Sequence, residues 1–320
     1  MIKNLQPKKI DINTFQKYRT TWKKAENAKF LSDFPLHIDI ELTSDCNLKC
    51  KMCWQNKEPD AFSKGMMKEN LFKKIIDEGV KNGLCAIKIQ SRGEAMMHPR
   101  IFKYSRYAKD RGIMDIHLTT NGTLFLKKGK INELFNSGID KLIFSIDYAH
   151  DESIEEIYKK KKPDIRKYFN EIAKIKKEKN LTKPYLVIQT FCKDGQKKNE
   201  LRKNLTKKFP LANFFNINEL WNSTPEEESI KNLKTDYDFL PCAYLWSRIL
   251  VHWDGKVIPC CRDYSGKYLQ VGDTNKQSIK QIWISKKMMN FRKLHVEKKR
   301  SKINICANCD VSTAKKKNKN

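Results

Sequence analysis

The sequence predicts an α/β protein, with a parallel sheet covered by helices and a small cysteine-rich domain after it. Six short apolar segments alternate with amphipathic segments of helical period between residues 36 and 217. This alternation stops at residues 225–238, which are polar and acidic. Five of the ten cysteines follow that stretch. We therefore expect the sheet to occupy the first two thirds of the chain and a thiol-rich domain to follow.

The alternation can be followed element by element. Residues 1–35, which are polar with scattered aromatics, predict a helical lead-in that packs on the domain after it. The predicted strands are 36–42, 84–90, 113–118, 141–146, 184–190 and, less regular, 214–217. The predicted helices between them are 67–83, 99–111, 128–137, 152–179 and 198–208. Six such repeats predict parallel strands with helices outside the sheet.

Composition limits the class of protein. The chain of 320 residues has 39% hydrophobic residues, enough for one large or two modest cores. No apolar run approaches the length of a membrane span, and the N-terminus lacks the apolar stretch of a signal peptide. Ten cysteines without an export signal favour metal ligation in a reducing compartment over disulfides. We expect the cytoplasm.

The formal charge of +28 raises the question of a nucleic-acid partner. The lysines, however, are spread over every predicted helix, whereas a binding face clusters its cations and interleaves aromatics. We therefore do not expect nucleic acid as a partner. A zinc-bearing nucleic-acid-binding protein remains the non-enzyme alternative, supported by the charge and the C-terminal thiols.

Three cysteines follow the first predicted strand on one loop. Cys46, Cys50 and Cys53 have the spacing C-x3-C-x2-C. A [4Fe–4S] cluster is normally held by four cysteines, so three of them leave one iron with an open position. Half of a zinc site or a disulfide-linked knot is the alternative interpretation of these thiols.

This spacing after a first strand resembles the radical S-adenosylmethionine (radical SAM) superfamily. The resemblance implies a partial (β/α)6 barrel, although periodicity alone equally allows an open doubly wound sheet. It also implies that SAM chelates the open iron through its amino and carboxylate groups. The reduced cluster then cleaves SAM to a 5′-deoxyadenosyl radical that abstracts hydrogen from substrate.

The same resemblance assigns SAM contacts to the ends of later strands, where parallel barrels place their active groups. Gly93 and Glu94 match the family's Gly-Gly-Glu-Pro-like motif beside the SAM amino group. Asn121 lies in a Thr-Asn-Gly loop, which equally serves as a turn tolerant of positive φ. Ser145 and Asp147 match a Ser-x-Asp motif, and residues two apart in a strand share a face.

Two further positions complete the expected SAM pocket, and two depart from the family motif. Gln189 lies on the fifth predicted strand, and Met52 occupies the position that covers adenine in relatives. Arg92 and Ala95 flank Gly93-Glu94 where the family has glycine and proline. The match to this motif is therefore partial.

A second set of cysteines lies near the C-terminus: Cys242, Cys260, Cys261, Cys306 and Cys309. Asp254-Gly255 between apolar runs predicts a β-hairpin whose second strand ends near Cys260. Four thiols with a closing C-x2-C suit a tetrahedral zinc site or a [4Fe–4S] cluster.

This arrangement resembles the SPASM/Twitch extension of radical SAM enzymes, with its Gly-x4-Cys step and an Ile-x-x-Ile-Trp helix at 279–283. A full SPASM region carries seven cysteines, so five fit the shorter, single-cluster form. Neighbouring side chains of a strand point in opposite directions, so we choose Cys242, Cys260, Cys306 and Cys309 as ligands and leave Cys261 open.

The expected organisation and function follow from these assignments. The expected segments are a lead-in (1–35), the radical SAM core (36–224), a linker (225–240), the auxiliary cluster domain (241–310) and a disordered basic tail (311–320). We expect an oxidoreductase that oxidises a small hydroxylated metabolite, sugar or cyclitol, with the auxiliary [4Fe–4S] cluster as electron acceptor and flavodoxin or ferredoxin as donor. Maturation of a peptide or protein substrate, by oxidation, cross-linking or epimerisation, is the alternative.

Overall fold

The computed structural model describes residues 15–50, 53–146, 164–192, 198–219, 241–307 and 309 of the chain. These residues form two compact units. The first unit draws on 1–40, 67–86 and 221–320, and the second on 41–66 and 87–220. The domain boundaries expected from sequence remain a prediction.

The described elements follow the predicted alternation. The strands are β1 His37–Ile40, β2 Ala86–Ile89, β3 Asp115–Thr120, β4 Lys141–Ser145, β5 Tyr185–Cys192, β6 Phe214–Glu219, β7 Arg248–Val251, β8 Lys256–Ile258 and β9 Gly272–Asp273. The α-helices are Phe15–Glu26, Trp54–Lys57, Glu69–Lys81, Ile101–Asp110, Lys130–Asn136, Ile165–Glu178, Lys198–Lys208, Tyr244–Ser247, Ile279–Trp283, Lys286–Val296 and Asn304–Ala307. Residues 152–163 of the predicted helix 152–179 lie outside the described residues. The remainder contains the helix Ile165–Glu178.

The second unit contains a sheet whose strands neighbour one another in chain order, β2-β3-β4-β5-β6. The pairs β3–β4, β4–β5 and β5–β6 are parallel. A doubly wound sheet reverses its strand order at a switch point. This sheet has no reversal among these strands, so the winding is that of a partial (β/α) barrel and not of the doubly wound alternative.

The two faces of this sheet differ in character. In β3, Ile116, Leu118 and Thr120 are buried, whereas the alternate side chains are half-buried. The strand register places Ser145, Gln189 and Asn216 opposite one another on β4, β5 and β6. The half-buried face therefore carries a row of polar side chains at the ends of the strands.

The first unit holds the predicted hairpin. β7 and β8 pair antiparallel, β8 pairs antiparallel with β9, and β7 pairs parallel with β1. Gly255 forms the hairpin turn with φ +91°, and a Cβ there would lie 2.4 Å from Asn275 Nδ2. The antiparallel hairpin confirms the strand arrangement expected for the cysteine-rich region.

A buried arginine holds the core of the first unit together. Arg292 is fully buried, and its Nε donates to Leu245 O at 2.8 Å while its NH1 donates to Trp283 O at 2.7 Å. Burial lowers the pKa of this guanidinium to about 9. The two hydrogen bonds join the helices Tyr244–Ser247 and Ile279–Trp283 to the helix Lys286–Val296, which carries Arg292.

Within the described part of the chain, no helix has the length and apolar character that a membrane crossing requires.

Candidate functional site

The first three cysteines lie together on the loop that begins after β1. Cys46, Cys50 and Cys53 are half-buried. The Cys53 N–H donates to Cys50 O at 2.9 Å, which closes the C-x2-C turn, and Cys53 is the N-cap of the helix Trp54–Lys57. This backbone contact holds Cys50 and Cys53 close together on the loop that also carries Cys46.

The electrostatics of these thiols suit a positively charged metal centre. Burial, together with the smaller effect of the charges of Glu94, Cys53 and Cys50, raises the pKa of the Cys46 thiol to about 12. The thiols therefore lie near enough to repel one another as thiolates. Iron bound to the thiolates removes this repulsion, and three soft sulfur donors fit a [4Fe–4S] cluster with one open iron.

Gly93 and Glu94 pack directly against the start of the cysteine loop. A Cβ at Gly93 would lie 2.4 Å from Asp45 O and 2.5 Å from Thr43 O, so only glycine fits there. The Glu94 N–H donates to Asp45 O at 2.8 Å. Gly93, which was expected beside SAM, is therefore required by the close packing of its backbone on residues 43–45, whether or not it also contacts SAM.

The Glu94 carboxylate joins the ends of β2 and β3. Its Oε1 accepts from the Met96 N–H at 2.9 Å and from the Thr120 hydroxyl at 2.7 Å, and its Oε2 accepts from the Asn121 N–H at 2.7 Å. Burial raises the pKa of this carboxyl, while the three hydrogen bonds oppose the rise. A carboxylate accepts about four hydrogen bonds, so these three leave little capacity for a ligand.

Asn121 connects the strand ends to the cysteine loop. Its Nδ2 donates to Asn47 Oδ1 at 3.0 Å, and its Oδ1 accepts from the Thr123 N–H at 3.0 Å. Asn47 Nδ2 in turn donates to Thr123 Oγ1 at 2.7 Å. Asn47 and Thr123 were not predicted from sequence. The only sequence signal for Asn47 is its place next to Cys46.

The remaining expected SAM contacts fall partly on the polar row at the strand ends. Ser145 and Gln189 are register partners, and Asn216 Nδ2 donates to Gln189 Oε1 at 3.2 Å. Both predicted residues are half-buried and lie on the same face of the sheet. Met52 and Asp147 lie outside the described residues, so their assignment stays a prediction.

Arg92, which departs from the family motif, has a role within the protein. Its Nε donates to Glu41 Oε2 at 2.7 Å, and its NH2 pairs with Glu41 Oε1. The guanidinium lies 4.2 Å from the centre of the Phe62 ring, and that ring stacks on Trp54 with centroids 5.9 Å apart. Trp54 and Phe62 follow Cys53 in the chain, so this stack, in which Phe62 is half-buried, holds the segment after the cysteine loop against Arg92.

The second set of cysteines surrounds a cavity in the first unit. Four of the predicted ligands line it: Cys242, Cys260, Cys306 and Cys309. Cys261 is not part of that lining, although it shares a hydrogen bond with Cys260 that lowers the pKa of Cys261 to about 7. The geometry thus groups the four thiols chosen from sequence and leaves Cys261 beside them.

The cavity has the donors of a cluster site. Burial raises the pKa of Cys242 to about 11, and the Cys309 N–H donates to Cys306 O at 3.3 Å. Arg300 NH2 donates to Cys309 O at 2.9 Å and so holds the closing C-x2-C. Among the described residues, no three Cys, His or carboxylate side chains converge on one ion. In a [4Fe–4S] cluster each cysteine binds its own iron, so such convergence is not required.

Two protein families match this chain. The family described as the radical SAM superfamily matches residues 40–203, which is half of the chain. The chain belongs to the radical SAM superfamily. A second family, SPASM, described as an iron–sulfur cluster-binding domain, matches residues 242–310. The enzyme therefore uses SAM and a [4Fe–4S] cluster, and its C-terminal region binds further iron–sulfur. The first cysteine set provides suitable donors for the SAM-binding cluster, and the second set provides them for the C-terminal region.

Curated relatives match the chain over a limited length. A tungsten-containing aldehyde ferredoxin oxidoreductase cofactor-modifying protein of Pyrococcus furiosus is 38% identical over 112 residues, which are 35% of this chain and 30% of the relative. The antilisterial bacteriocin subtilosin biosynthesis protein AlbA of Bacillus subtilis is 34% identical over 112 residues, 35% of this chain and 24% of the relative. The matches thus span about a third or less of these relatives.

Solved structures resemble this chain over most of its length. BtrN in complex with AdoMet and 2-DOIA gives a TM-score of 0.57 at 18% identity, covering 86% of this chain and 92% of BtrN. Streptococcus suis SuiB bound to precursor peptide SuiA gives 0.59 at 14% identity, covering 86% and 69%. At these identities the likeness concerns the fold, and it confirms the predicted radical SAM core with an auxiliary cysteine-rich region.

Proposed function

We propose that this enzyme is a SAM-dependent dehydrogenase of a small hydroxylated metabolite, a sugar or cyclitol. The observation that carries the proposal is the cavity lined by Cys242, Cys260, Cys306 and Cys309. Four thiols provide for one auxiliary cluster, which suffices to accept one electron. The likeness to BtrN, solved with AdoMet and 2-DOIA and matched over most of both chains, supports the same choice.

The polar row at the strand ends supports a hydroxylated ligand. Thr119 Oγ1 donates to Gln90 Oε1 at 3.0 Å, and Gln189 accepts from Asn216. Hydroxyl and amide groups donate and accept, so they match the hydroxyls of a sugar, a cyclitol or the SAM ribose. A hydroxylated ligand can pair with the donor and acceptor positions that these contacts leave over, whereas an apolar ligand cannot.

The electron balance explains why an auxiliary acceptor is needed. SAM, when bound and cleaved, supplies a radical that removes one hydrogen atom from the carbon bearing the hydroxyl. The hydroxyl proton then leaves, and one electron remains to be removed as the carbonyl forms. The auxiliary region takes this electron. Flavodoxin or ferredoxin would supply the electron that starts SAM cleavage.

The test is anaerobic turnover with a panel of sugars and cyclitols, SAM and a chemical reductant. We expect 5′-deoxyadenosine to form together with a product that has lost two hydrogens. Deuterium at the oxidised carbon should appear in 5′-deoxyadenosine. Cleavage of SAM that no polyol accelerates, with no carbonyl product, would contradict the proposal.

Maturation of a peptide is the second candidate, because two similar structures were solved with peptides. SuiB was solved bound to the precursor peptide SuiA, and anSMEcpe with the Cp18Cys peptide gives a TM-score of 0.54 at 17% identity over 81% of this chain. In the same assay, a peptide library containing Cys and Ser substrates would replace the polyols. Peptide-dependent formation of 5′-deoxyadenosine with a modified residue would favour this candidate.

A further inference from the structure

A histidine outside the predicted site residues faces the auxiliary cysteine cavity. His295 lies in the last turn of the helix Lys286–Val296 and is only 2% exposed. It lines the cavity together with Cys242, Cys260, Cys306 and Cys309. Its position beside four thiols gives it access to any group that those thiols hold.

The contacts of the ring decide which nitrogen carries the proton. His295 Nδ1 lies 3.2 Å from the backbone nitrogen of Cys242, whose N–H it accepts. A nitrogen that accepts is unprotonated, so the proton lies on Nε2 and the imidazole is neutral.

The protonated nitrogen has no acceptor within the described part of the protein. His295 Nε2 is buried and makes no hydrogen bond to any described residue. Buried donors are normally paired, so one without a partner in the protein indicates a water, an ion or another bound group beside it. In a cavity lined by four cysteines, a sulfur of an iron–sulfur cluster is the acceptor that fits.

We propose that His295 donates a hydrogen bond from Nε2–H to a sulfur of the auxiliary cluster and thereby raises the reduction potential of that cluster. A hydrogen bond to sulfur stabilises the more negative, reduced form, and such bonds are a main determinant of cluster potentials. His295 would then be a positioning and tuning residue that makes the cluster a better electron acceptor. The inference rests on the presence of an auxiliary cluster and not on the identity of the substrate, so it can fail or succeed independently of the proposed dehydrogenase reaction.

Two substitutions separate the two contacts of the ring. His295→Asn keeps an oxygen at the place of Nδ1 for the Cys242 N–H and removes the donor at Nε2. His295→Gln reaches farther and keeps an N–H donor near the place of Nε2. His98→Asn is the matched control, since His98 is 3% exposed and its Nδ1 accepts from the Arg100 N–H at 3.2 Å, but it does not line the cavity.

The potential of the auxiliary cluster is measured by EPR-monitored redox titration of the full chain carrying Cys46→Ala, Cys50→Ala and Cys53→Ala. We expect His295→Asn to lower the reduced-to-oxidised ratio at a fixed potential at least tenfold, a shift of about 59 mV for one electron. His295→Gln should recover most of that shift, and His98→Asn should cause none. Equal potentials in all four proteins would overturn the proposal.

A second measurement needs no substitution at His295. With 15N-labelled histidine, pulsed EPR of the reduced auxiliary cluster should detect a weakly coupled 15N and a proton that exchanges in D2O. Absence of both signals would overturn the proposal. A strong 15N coupling, or loss of auxiliary iron in His295→Asn, would make His295 a ligand of iron and would overturn it equally.

Discussion

Arg92 illustrates at the scale of one residue how a departure from a family motif acquires a physical reason. The family has glycine at this position, whereas here a guanidinium pairs with Glu41 and stacks on Phe62. Both charged groups are almost completely buried. Replacing both partners of a buried pair is often tolerated, but removing one leaves the other charge buried without compensation.

We therefore expect Arg92→Met to lower the free energy of unfolding by about 3–5 kcal/mol. Urea denaturation of the full-length protein, followed by circular dichroism, measures the loss. The control is Arg106→Met, which removes an exposed pair with Asp110 on the helix Ile101–Asp110 and should leave the midpoint unchanged. Equal midpoints for both variants would mean that the Glu41 pair is not buried as described.

At the scale of elements, the sequence predicts where strands and helices lie better than it predicts what joins them. Apolar runs placed β3 at 113–118, and the structure has it at Asp115–Thr120, shifted by two residues toward the site. The partners of Glu94 could not be predicted, because Thr120 and Asn121 lie more than twenty residues away and meet it only through the strand register. The motif around Glu94 identified this residue as important but did not reveal its contacts.

Glu94→Gln tests this junction of β2 and β3. The amide would turn an N–H toward a buried donor and leave that donor unpaired, at a cost of about 1–3 kcal/mol. We expect SAM to bind at least tenfold more weakly, by isothermal titration of the reconstituted protein. Glu133→Gln changes an exposed carboxylate and should leave binding as it was. Unchanged affinity in Glu94→Gln would show that the junction does not shape the SAM pocket.

The two adjacent cysteines after β8, Cys260 and Cys261, allow a test of which one binds the auxiliary cluster. Cys260 lines the cavity and Cys261 does not, although both residues follow the end of β8 and neither lies in a strand. Cys260→Ser should therefore lose the auxiliary iron, whereas Cys261→Ser should keep it. Iron analysis of the two proteins after anaerobic reconstitution decides between them. Loss of iron in Cys261→Ser with retention in Cys260→Ser would reverse the ligand assignment.

At the scale of the whole molecule, the two cysteine sets belong to different compact units. Cys46, Cys50 and Cys53 lie in the second unit, and the cavity with Cys242 lies in the first. The order of the two sets along the chain predicted both the core and the auxiliary region, because thiol spacing is a local signal. His295 could not be found in this way, since a lone histidine on a helix has no spacing that marks its distant partner.

The central claim is one SAM-binding cluster on the first cysteine set and one auxiliary cluster on the second. The most direct test is iron and sulfide per chain after anaerobic reconstitution, with the Cys46/Cys50/Cys53→Ala variant in parallel. Two [4Fe–4S] clusters predict about eight irons, falling to about four in the variant. About four irons falling to none would mean that the second set holds no iron–sulfur cluster, and the electron-acceptor role would then be contradicted.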